Sequence, residues 1–123
     1  MGRYRGLTLR VLGRKFPAMG PGKAELIERI VRTGSISAAA RAMGMSYRRA
    51  WLLVEALNED FAEHVVITAA GGRRGGGASV TSFGWKLTRR FRMMESKASA
   101  AIAADLKHLT GLLRSRSSRC KTG

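Results

Sequence analysis

Four consecutive residues with hydrogen-bonding side chains, Ser46, Tyr47, Arg48 and Arg49, begin two positions after Gly44. An arginine guanidinium can donate two parallel hydrogen bonds to O6 and N7 of guanine, or hold a phosphate in the same way. These residue types therefore predict a surface that binds nucleic acid. The sequence alone leaves open which of the two arginines contacts a base and which contacts a phosphate.

Two predicted helices joined by a tight turn would position these residues. Residues 35–61 carry alanines and larger apolar residues at helical spacing on both sides of Gly44. Ser37 is predicted to cap the first helix and Ser46 the second, because a serine hydroxyl accepts a hydrogen bond from a free N–H in the first turn. Ala40 is small enough for the helices to cross closely, and Gly44 tolerates the positive φ that the turn needs. This spacing predicts a helix-turn-helix.

The second helix of this pair is predicted to be the recognition helix. In helix-turn-helix proteins the exposed N-terminal part of that helix contacts base edges in the major groove. Residues 46–49 and Leu52 lie toward its exposed side. Its buried face is predicted to consist of Ala50, Val54, Leu57 and Phe61. An alanine-rich helical hairpin with a solvated basic face is the alternative, and the spacing of Ala40, Gly44 and Ser46 argues against it.

A glycine-rich segment follows the predicted helices. HVVIT and ASVTS are each predicted to form a short strand, and GGRRGGG a flexible tip between them, so that the three make a β-wing. Arg73 and Arg74 extend from this tip, which suits contact with a phosphate or with the minor groove. A nucleotide-binding loop is the competing interpretation, and it requires a Lys-Ser or Lys-Thr pair that the segment does not contain.

The N-terminal part of the chain is predicted to contain a strand and a helix. Residues 1–15 form a basic arm in which apolar residues occupy alternate positions, as in a strand. These residues are Leu7, Leu9 and Val11. Pro21 suits the start of a helix, and an apolar stripe predicts that this helix runs from about Lys23 to Arg32. The stripe consists of Leu26, Ile27, Ile30 and Val31. With this helix, residues 16–82 complete a winged helix-turn-helix.

Residues 83–113 are predicted to form one long amphipathic helix. Its apolar residues advance by steps of three or four, and they are Leu87, Phe91, Met94, Ala98, Ile102, Leu106, Leu109 and Leu113. Such a stripe exceeds what a small core covers, so it predicts a partner helix and hence a homodimer. Residues 114–123 are predicted to be a disordered basic tail. The predicted fold class is therefore mainly α with a small β-wing, a winged helix-turn-helix followed by a long C-terminal dimerisation helix.

Charge and hydropathy limit the classes of partner. Among 123 residues, 23 are Lys or Arg and 8 are Asp or Glu, a formal net charge of +15. Binding a phosphate polymer releases counterions, so this excess favours nucleic acid, although an anionic membrane surface attracts the same charge. No apolar run is long enough for a membrane helix or a signal-peptide core. We therefore expect a cytoplasmic protein without a membrane partner.

Catalysis and cofactor binding are not expected. His64 and His108 have no partners at metal-ligand or catalytic spacing. Cys120 is a lone thiol that cannot form an internal disulfide. Carboxylates that follow the arginines are interpreted as helix-surface charges rather than as an acid–base pair. They are Glu55, Glu59 and Asp60. The sequence predicts a protein that is not an enzyme and holds no cofactor and no metal.

The runs GSISAAARAMGMSYRRAW, LNEDFAEHVV and GGRRGGGASVTSFG, in this order, resemble the DNA-binding domain of the bacterial ModE-type molybdate-responsive transcription regulators. The similarity covers about residues 20–91. LysR-type regulators share the first run but lack the glycine-rich wing. The resemblance implies a winged helix-turn-helix that dimerises and binds double-stranded DNA at a palindromic operator, with Trp51 packed in the core. The predicted DNA-binding residues are Ser35, Ser37, Ser46, Tyr47, Arg48, Arg49, Arg73 and Arg74.

The two-part members of that family carry C-terminal oxyanion-binding domains, which we do not expect within these 123 residues. No anion pocket is assigned. We expect constitutive DNA binding or regulation by another molecule, with any molybdate sensing done by a separate effector-sensing partner or at an unfamiliar site. Two other functions stay open at this point. One is a non-specific architectural nucleic-acid-binding protein, for which the charge suffices, and the other is a protein-interaction module whose long helix pairs with a different partner.

Overall fold

Two antiparallel ribbons and five helices make up residues 6–14, 17–69 and 77–114, which are the residues that the computed structural model describes. In chain order they are β1 (Val11–Leu12), β2 (Pro17–Met19), α1 (Pro21–Thr33), α2 (Ile36–Met43), α3 (Tyr47–Asp60), β3 (Val66–Thr68), β4 (Ala78–Val80), α4 (Ser82–Ala101) and α5 (Ala103–Gly111). β1 pairs with β2, and β3 pairs with β4. The predicted winged helix-turn-helix is confirmed, with α1–α3 as its helices and β3–β4 as its wing.

α1 begins and ends with the residues that the sequence indicates. Pro21 is its first residue, and Gly34 closes it at φ 68°, where the Gly34 N–H donates to the carbonyl of Ile30 at 2.8 Å. Its buried face includes Ala24, which is fully buried. Val31, predicted to lie in the apolar stripe, is 48% exposed. Because successive helix positions turn by about 100°, Val31 points away from the core that Ile30 faces.

A single hydrophobic core joins the N-terminal ribbon, α1, α2, α3, the wing and α4. Its largest fully buried apolar side chains are Met19, Leu26, Ile27, Ile30, Leu57, Val65 and Val66. These side chains come from β2, α1, α3, the first residue of β3 and the residue that precedes it. The recognition helix and the wing are therefore held by one packed interior.

The N-terminal strand is shorter than the alternation of apolar residues predicts. β1 has two residues, because its partner β2 has only three and begins at Pro17, whose ring nitrogen cannot donate a hydrogen bond. Leu9 packs half-buried against the core, whereas Leu7 is 45% exposed. The arm is thus held by side-chain packing more than by strand pairing.

The prediction of one continuous helix over residues 83–113 is wrong. α4 and α5 are separated by Ile102, at φ −111° and ψ 14°. The hydrogen-bonding pattern nevertheless continues, since the Ile102 N–H donates to the carbonyl of Ala98 at 3.1 Å and the Leu106 N–H donates to the carbonyl of Ile102 at 2.7 Å. No glycine or proline marks the break. The apolar residues therefore keep their spacing of three or four positions on both sides of Ile102.

A charged cluster and apolar packing fix α4 to α1. Arg92 donates two hydrogen bonds, of 2.8 and 3.0 Å, to the carboxylate of Glu28 on α1, and another of 2.8 Å to Glu95. Hydrogen bonding to Glu28 raises the pKa of the Arg92 guanidinium above its ordinary value. The neighbouring Phe91 is buried. α4 therefore has a defined orientation on the helix-turn-helix.

Gly84 lies where the start of α4 meets the strand segment before the wing. A Cβ at this position would stand 2.5 Å from the carbonyl oxygen of Val65 and 2.9 Å from its Cγ1. The Gly84 N–H also donates to Thr81 Oγ1, which caps α4, at 2.9 Å. Only a glycine allows this approach, because the oxygen it meets belongs to the backbone.

We expect Gly84→Ala to lower the free energy of unfolding by about 2 kcal/mol, the usual cost of forcing an extra group into a packed interior. Urea denaturation measures this loss. Gly111→Ala is the matched control, since no atom lies within 4 Å of a Cβ built there, and we expect it to be neutral or slightly stabilising. Equal effects of the two substitutions would show that the Val65 contact does not constrain Gly84.

Candidate nucleic-acid interface

The turn between α2 and α3 has the geometry that the sequence predicts. Gly44 adopts φ 70° and ψ 29°, in the left-handed region that glycine enters at little cost. The Met45 N–H donates to the carbonyl of Ala40 at 3.0 Å, which closes the turn. Ala39 and Ala40 are both buried. Small side chains at these positions let α2 and α3 pack closely, so the turn sets the direction of α3.

Serine hydroxyls cap both helices, and one of the two predicted caps is wrong. Ser46 Oγ accepts from the N–H of Arg49 at 3.1 Å, as predicted for α3. In α2 the cap is Ser35, whose Oγ accepts from the N–H of Ala38 at 3.0 Å. Ser37 instead lies exposed in the first turn. Ile36 is buried as the first residue of α2, and this leaves the preceding serine in the capping position.

α3 has one face in the core and another in solvent. Its buried residues are Ala50, Val54 and Leu57. Phe61, predicted to join them, follows the last helical residue and is half-buried. Trp51 was expected in the core, and this expectation is wrong, since its side chain is 38% exposed. Trp51 is one position after the buried Ala50, and the turn of about 100° between them rotates the indole to the side of the helix.

The solvent face of α3 carries Arg48, Leu52 and Glu55, at steps of four and three residues, and we call these three the reading face. All three are exposed, Leu52 by 48%. Tyr47 lies beside them at the start of α3 and is 53% exposed. The face combines a cation, an apolar side chain and a carboxylate, and none of the three has a hydrogen bond or ion pair with another described residue. Its groups are therefore available to a ligand.

Arg49 lies on a different side of α3 from Arg48. With Arg10 and Lys23 it lines a cleft of about 390 Å³ between the N-terminal arm, the start of α1 and α3. Lys23 Nζ donates to the carbonyl of Pro17 at 2.9 Å. Burial lowers the pKa of the Lys23 ammonium, and the negative charge of Asp60 opposes this shift. Three cations thus border this cleft, and Arg48 is not among its lining residues.

Asn58, near the end of α3, joins the recognition helix to the wing. Its Oδ1 accepts from the N–H groups of Val65 and Val66, at 2.7 and 3.1 Å, and its Nδ2 donates to the carbonyl of Val66 at 3.0 Å. The sequence interpretation did not assign this role. The sequence feature that could have indicated this role is a polar residue next to the buried Leu57 and shortly before a strand. The three bonds set the position of β3 relative to α3.

The wing is an antiparallel pair in which Val66 faces Val80, Ile67 faces Ser79 and Thr68 faces Ala78. β4 is also tied to the end of α1, because the N–H of Ala78 donates to the carbonyl of Gly34 at 2.9 Å. The predicted strands are confirmed over the last three residues of HVVIT and the first three residues of ASVTS. The predicted contacts Arg73 and Arg74 belong to residues 70–76, which lie outside the described residues, and so does Cys120.

Among residues 6–14, 17–69 and 77–114, no three His, Cys, Asp or Glu side chains are grouped so that they could hold a metal ion. Within the same ranges no helix is both long enough and apolar enough to cross a membrane.

Comparison with known proteins gives a family match over the same elements. Residues 22–85, from α1 to the start of α4, match the family of bacterial regulatory helix-turn-helix proteins of the lysR type. This match covers the helix-turn-helix, the wing and the Asn58 and Gly84 contacts. It agrees with the resemblance of the first sequence run to that class.

Curated relatives include proteins named for molybdenum. The chain is 41% identical over 105 residues to the molybdenum-pterin-binding protein MopB of Rhodobacter capsulatus. The aligned region covers 85% of this chain and 38% of that protein. It is 34% identical over 103 residues to the DNA-binding transcriptional dual regulator ModE of Escherichia coli K12, covering 80% of this chain and 38% of the relative. The molybdenum transport protein ModE of Azotobacter vinelandii is 34% identical over 97 residues, 76% of this chain and 36% of the relative. The chain thus spans less than two-fifths of the length of these three proteins, and the predicted similarity to ModE-type regulators is confirmed.

Proposed function

The chain belongs to the lysR family of bacterial regulatory helix-turn-helix proteins, and we propose that it is a sequence-specific transcription regulator that reads duplex DNA with the reading face of α3. The observation that carries this proposal is the mixed chemistry of the reading face. Arg48, Leu52 and Glu55 are exposed on one side of a helix whose other side is buried. A helix positioned in this way presents its first turns to the major groove.

The mixed face favours sequence reading over the architectural alternative. A surface that only held phosphates would gain from cations at each exposed position. Leu52 gains nothing from a phosphate, and the Glu55 carboxylate is repelled by one. The floor of the major groove, in contrast, offers guanine acceptors, a cytosine amino donor and a thymine methyl group. The three side chains match these three kinds of group.

We assign different partners to the two arginines of α3. Arg48 lies on the reading face and is proposed to contact a base. Arg49 borders the cleft with Arg10 and Lys23, and this concentration of positive charge suits a backbone phosphate. Ser46, which caps α3, and Tyr47 are proposed to contact the sugar-phosphate backbone beside the groove. Ser35, Ser37, Arg73 and Arg74 stay candidates for backbone contacts.

Selection from a pool of random duplexes tests the proposed function. The purified chain should enrich one short sequence, and the enriched sites should contain two inverted half-sites. Enrichment without any common sequence would support the non-specific architectural protein instead. A promoter map made in cells would extend the test, because the relatives' names lead us to propose that genes of molybdenum metabolism are among the targets.

We further propose that the chain is a homodimer whose contact lies at the C-terminal end of the described residues. Leu109, Leu112 and Leu113 are exposed by 59%, 73% and 68%. A second exposed apolar surface, Met93 and Met94 on α4, is bordered by basic residues, which would repel their copies in a symmetric contact. These are Lys86, Arg89, Arg90 and Lys97. The leucines at α5 therefore form the better self-complementary surface.

The double substitution Leu109→Asp and Leu112→Asp should convert the dimer to a monomer, because burying each leucine contributes roughly 2 kcal/mol. Size-exclusion chromatography with light scattering measures the mass at micromolar concentration. Met93→Asp is the control, and we expect it to leave the dimer intact. A wild-type chain that is monomeric in this measurement contradicts the proposal, as does a dimer that only Met93→Asp disrupts.

A further inference from the structure

Leu52 is an apolar side chain at the centre of the reading face. It is 48% exposed and lies opposite the buried residues Ala50 and Val54. It follows Arg48 by four residues, so the two side chains are neighbours along the same side of α3. A single exposed leucine on a protein surface needs no explanation. At this position, however, DNA binding removes the water around the leucine, so its contact with the groove affects affinity.

The major-groove edges of the bases offer this leucine one well-matched group. Thymine carries a C5-methyl group there, whereas guanine and adenine present nitrogen and oxygen atoms, and cytosine an amino group. Covering such polar atoms with a leucine removes their hydrogen bonds to water without replacing them. Covering the methyl group buries two apolar surfaces together. A leucine on the reading face therefore distinguishes thymine from the other bases.

We infer that Leu52 is a specificity-determining residue that packs on the C5-methyl group of a thymine in each half-site. This inference rests on the proposed function. Four residues of an α-helix span about 6 Å, and base pairs are about 3.4 Å apart. For a helix lying along the groove, the thymine is thus about two base pairs from the base that Arg48 contacts. Arg48 and Leu52 together specify two positions of the half-site.

Replacing thymine by deoxyuridine tests this contact, because it removes the methyl group and keeps the hydrogen-bonding edge. Each thymine of the selected site is replaced in turn, in both half-sites at once, and binding is measured by fluorescence anisotropy. We expect one position to weaken binding by about fourfold per half-site, the effect of exposing one methyl-sized group. In Leu52→Ala, deoxyuridine and thymine at that position should bind equally well.

Val31→Ala is the matched control, because Val31 is equally exposed but lies on α1, and this variant should keep the full difference between thymine and deoxyuridine. Wild-type binding that is unaffected by deoxyuridine at every position overturns the inference while leaving the proposed function in place. A difference that persists in Leu52→Ala overturns it equally. A selection that enriches no sequence overturns the proposed function, and the role of Leu52 with it.

Discussion

Substituting Arg48 by alanine is expected to reduce affinity for the selected site by about 5- to 150-fold per half-site, which corresponds to the roughly 1–3 kcal/mol of a bidentate arginine–guanine contact. The loss follows from the position of Arg48 on the reading face, where the structure gives it no partner among the described residues. Preference at one position of each half-site should disappear. Titration of the variant against the selected site and its three single-base variants at that position measures both effects.

Arg49→Ala provides the contrast, since Arg49 borders the basic cleft instead of the reading face. It should weaken binding evenly across sequences and lower the dependence of log K on log salt by about one per protomer. Relaxed specificity in Arg49→Ala, with an even loss in Arg48→Ala, would reverse the assignment of the two arginines. Even losses in both would favour the architectural protein.

Asn58→Ala is expected to lower the free energy of unfolding by about 3 kcal/mol. The side chain makes three hydrogen bonds to the backbone of Val65 and Val66, and both valines are buried. Removing it leaves backbone N–H groups without acceptors, and each such group costs roughly 1–3 kcal/mol. Urea denaturation followed by circular dichroism gives the change.

Two variants separate this role from a general effect of substitution on α3. Asn58→Asp keeps an oxygen that accepts from the two N–H groups and loses the donor, so it should cost less than alanine. Glu59→Ala, at the next position, which is exposed, should change stability by less than about 0.5 kcal/mol. If Asn58→Ala is as stable as Glu59→Ala, Asn58 does not hold the wing.

The elements with the clearest local chemistry were predictable from sequence. A glycine followed two positions later by a serine predicts a tight turn and then a helix cap. Gly44 and Ser46 form this turn and this cap in the structure. The cap of α2 was misplaced by two residues, since Ser35 and Ser37 are both good caps and only the burial of Ile36 decides between them. That burial depends on packing from outside the helix, which spacing does not describe.

The remaining differences have the same origin in tertiary contacts. Trp51 and Val31 are large apolar residues beside a buried face, and the sequence cannot show that smaller residues fill the core instead. The apolar residues keep their helical spacing across the break at Ile102, so the sequence pattern cannot predict this break. Asn58 acts on residues seven and eight positions away, so its role emerges only when α3 and β3 are placed side by side.

If α3 reads DNA sequence, the chain binds its own site far more tightly than unrelated DNA, and the ratio of the two dissociation constants measures this difference. The wild-type chain is titrated at about 150 mM salt with its selected site and with a duplex of the same length and composition in scrambled order. Regulators that read base edges bind their sites at least about a thousandfold more tightly than other DNA, and we expect a ratio of that size here. Dissociation constants within about threefold of each other would show that α3 does not read DNA sequence.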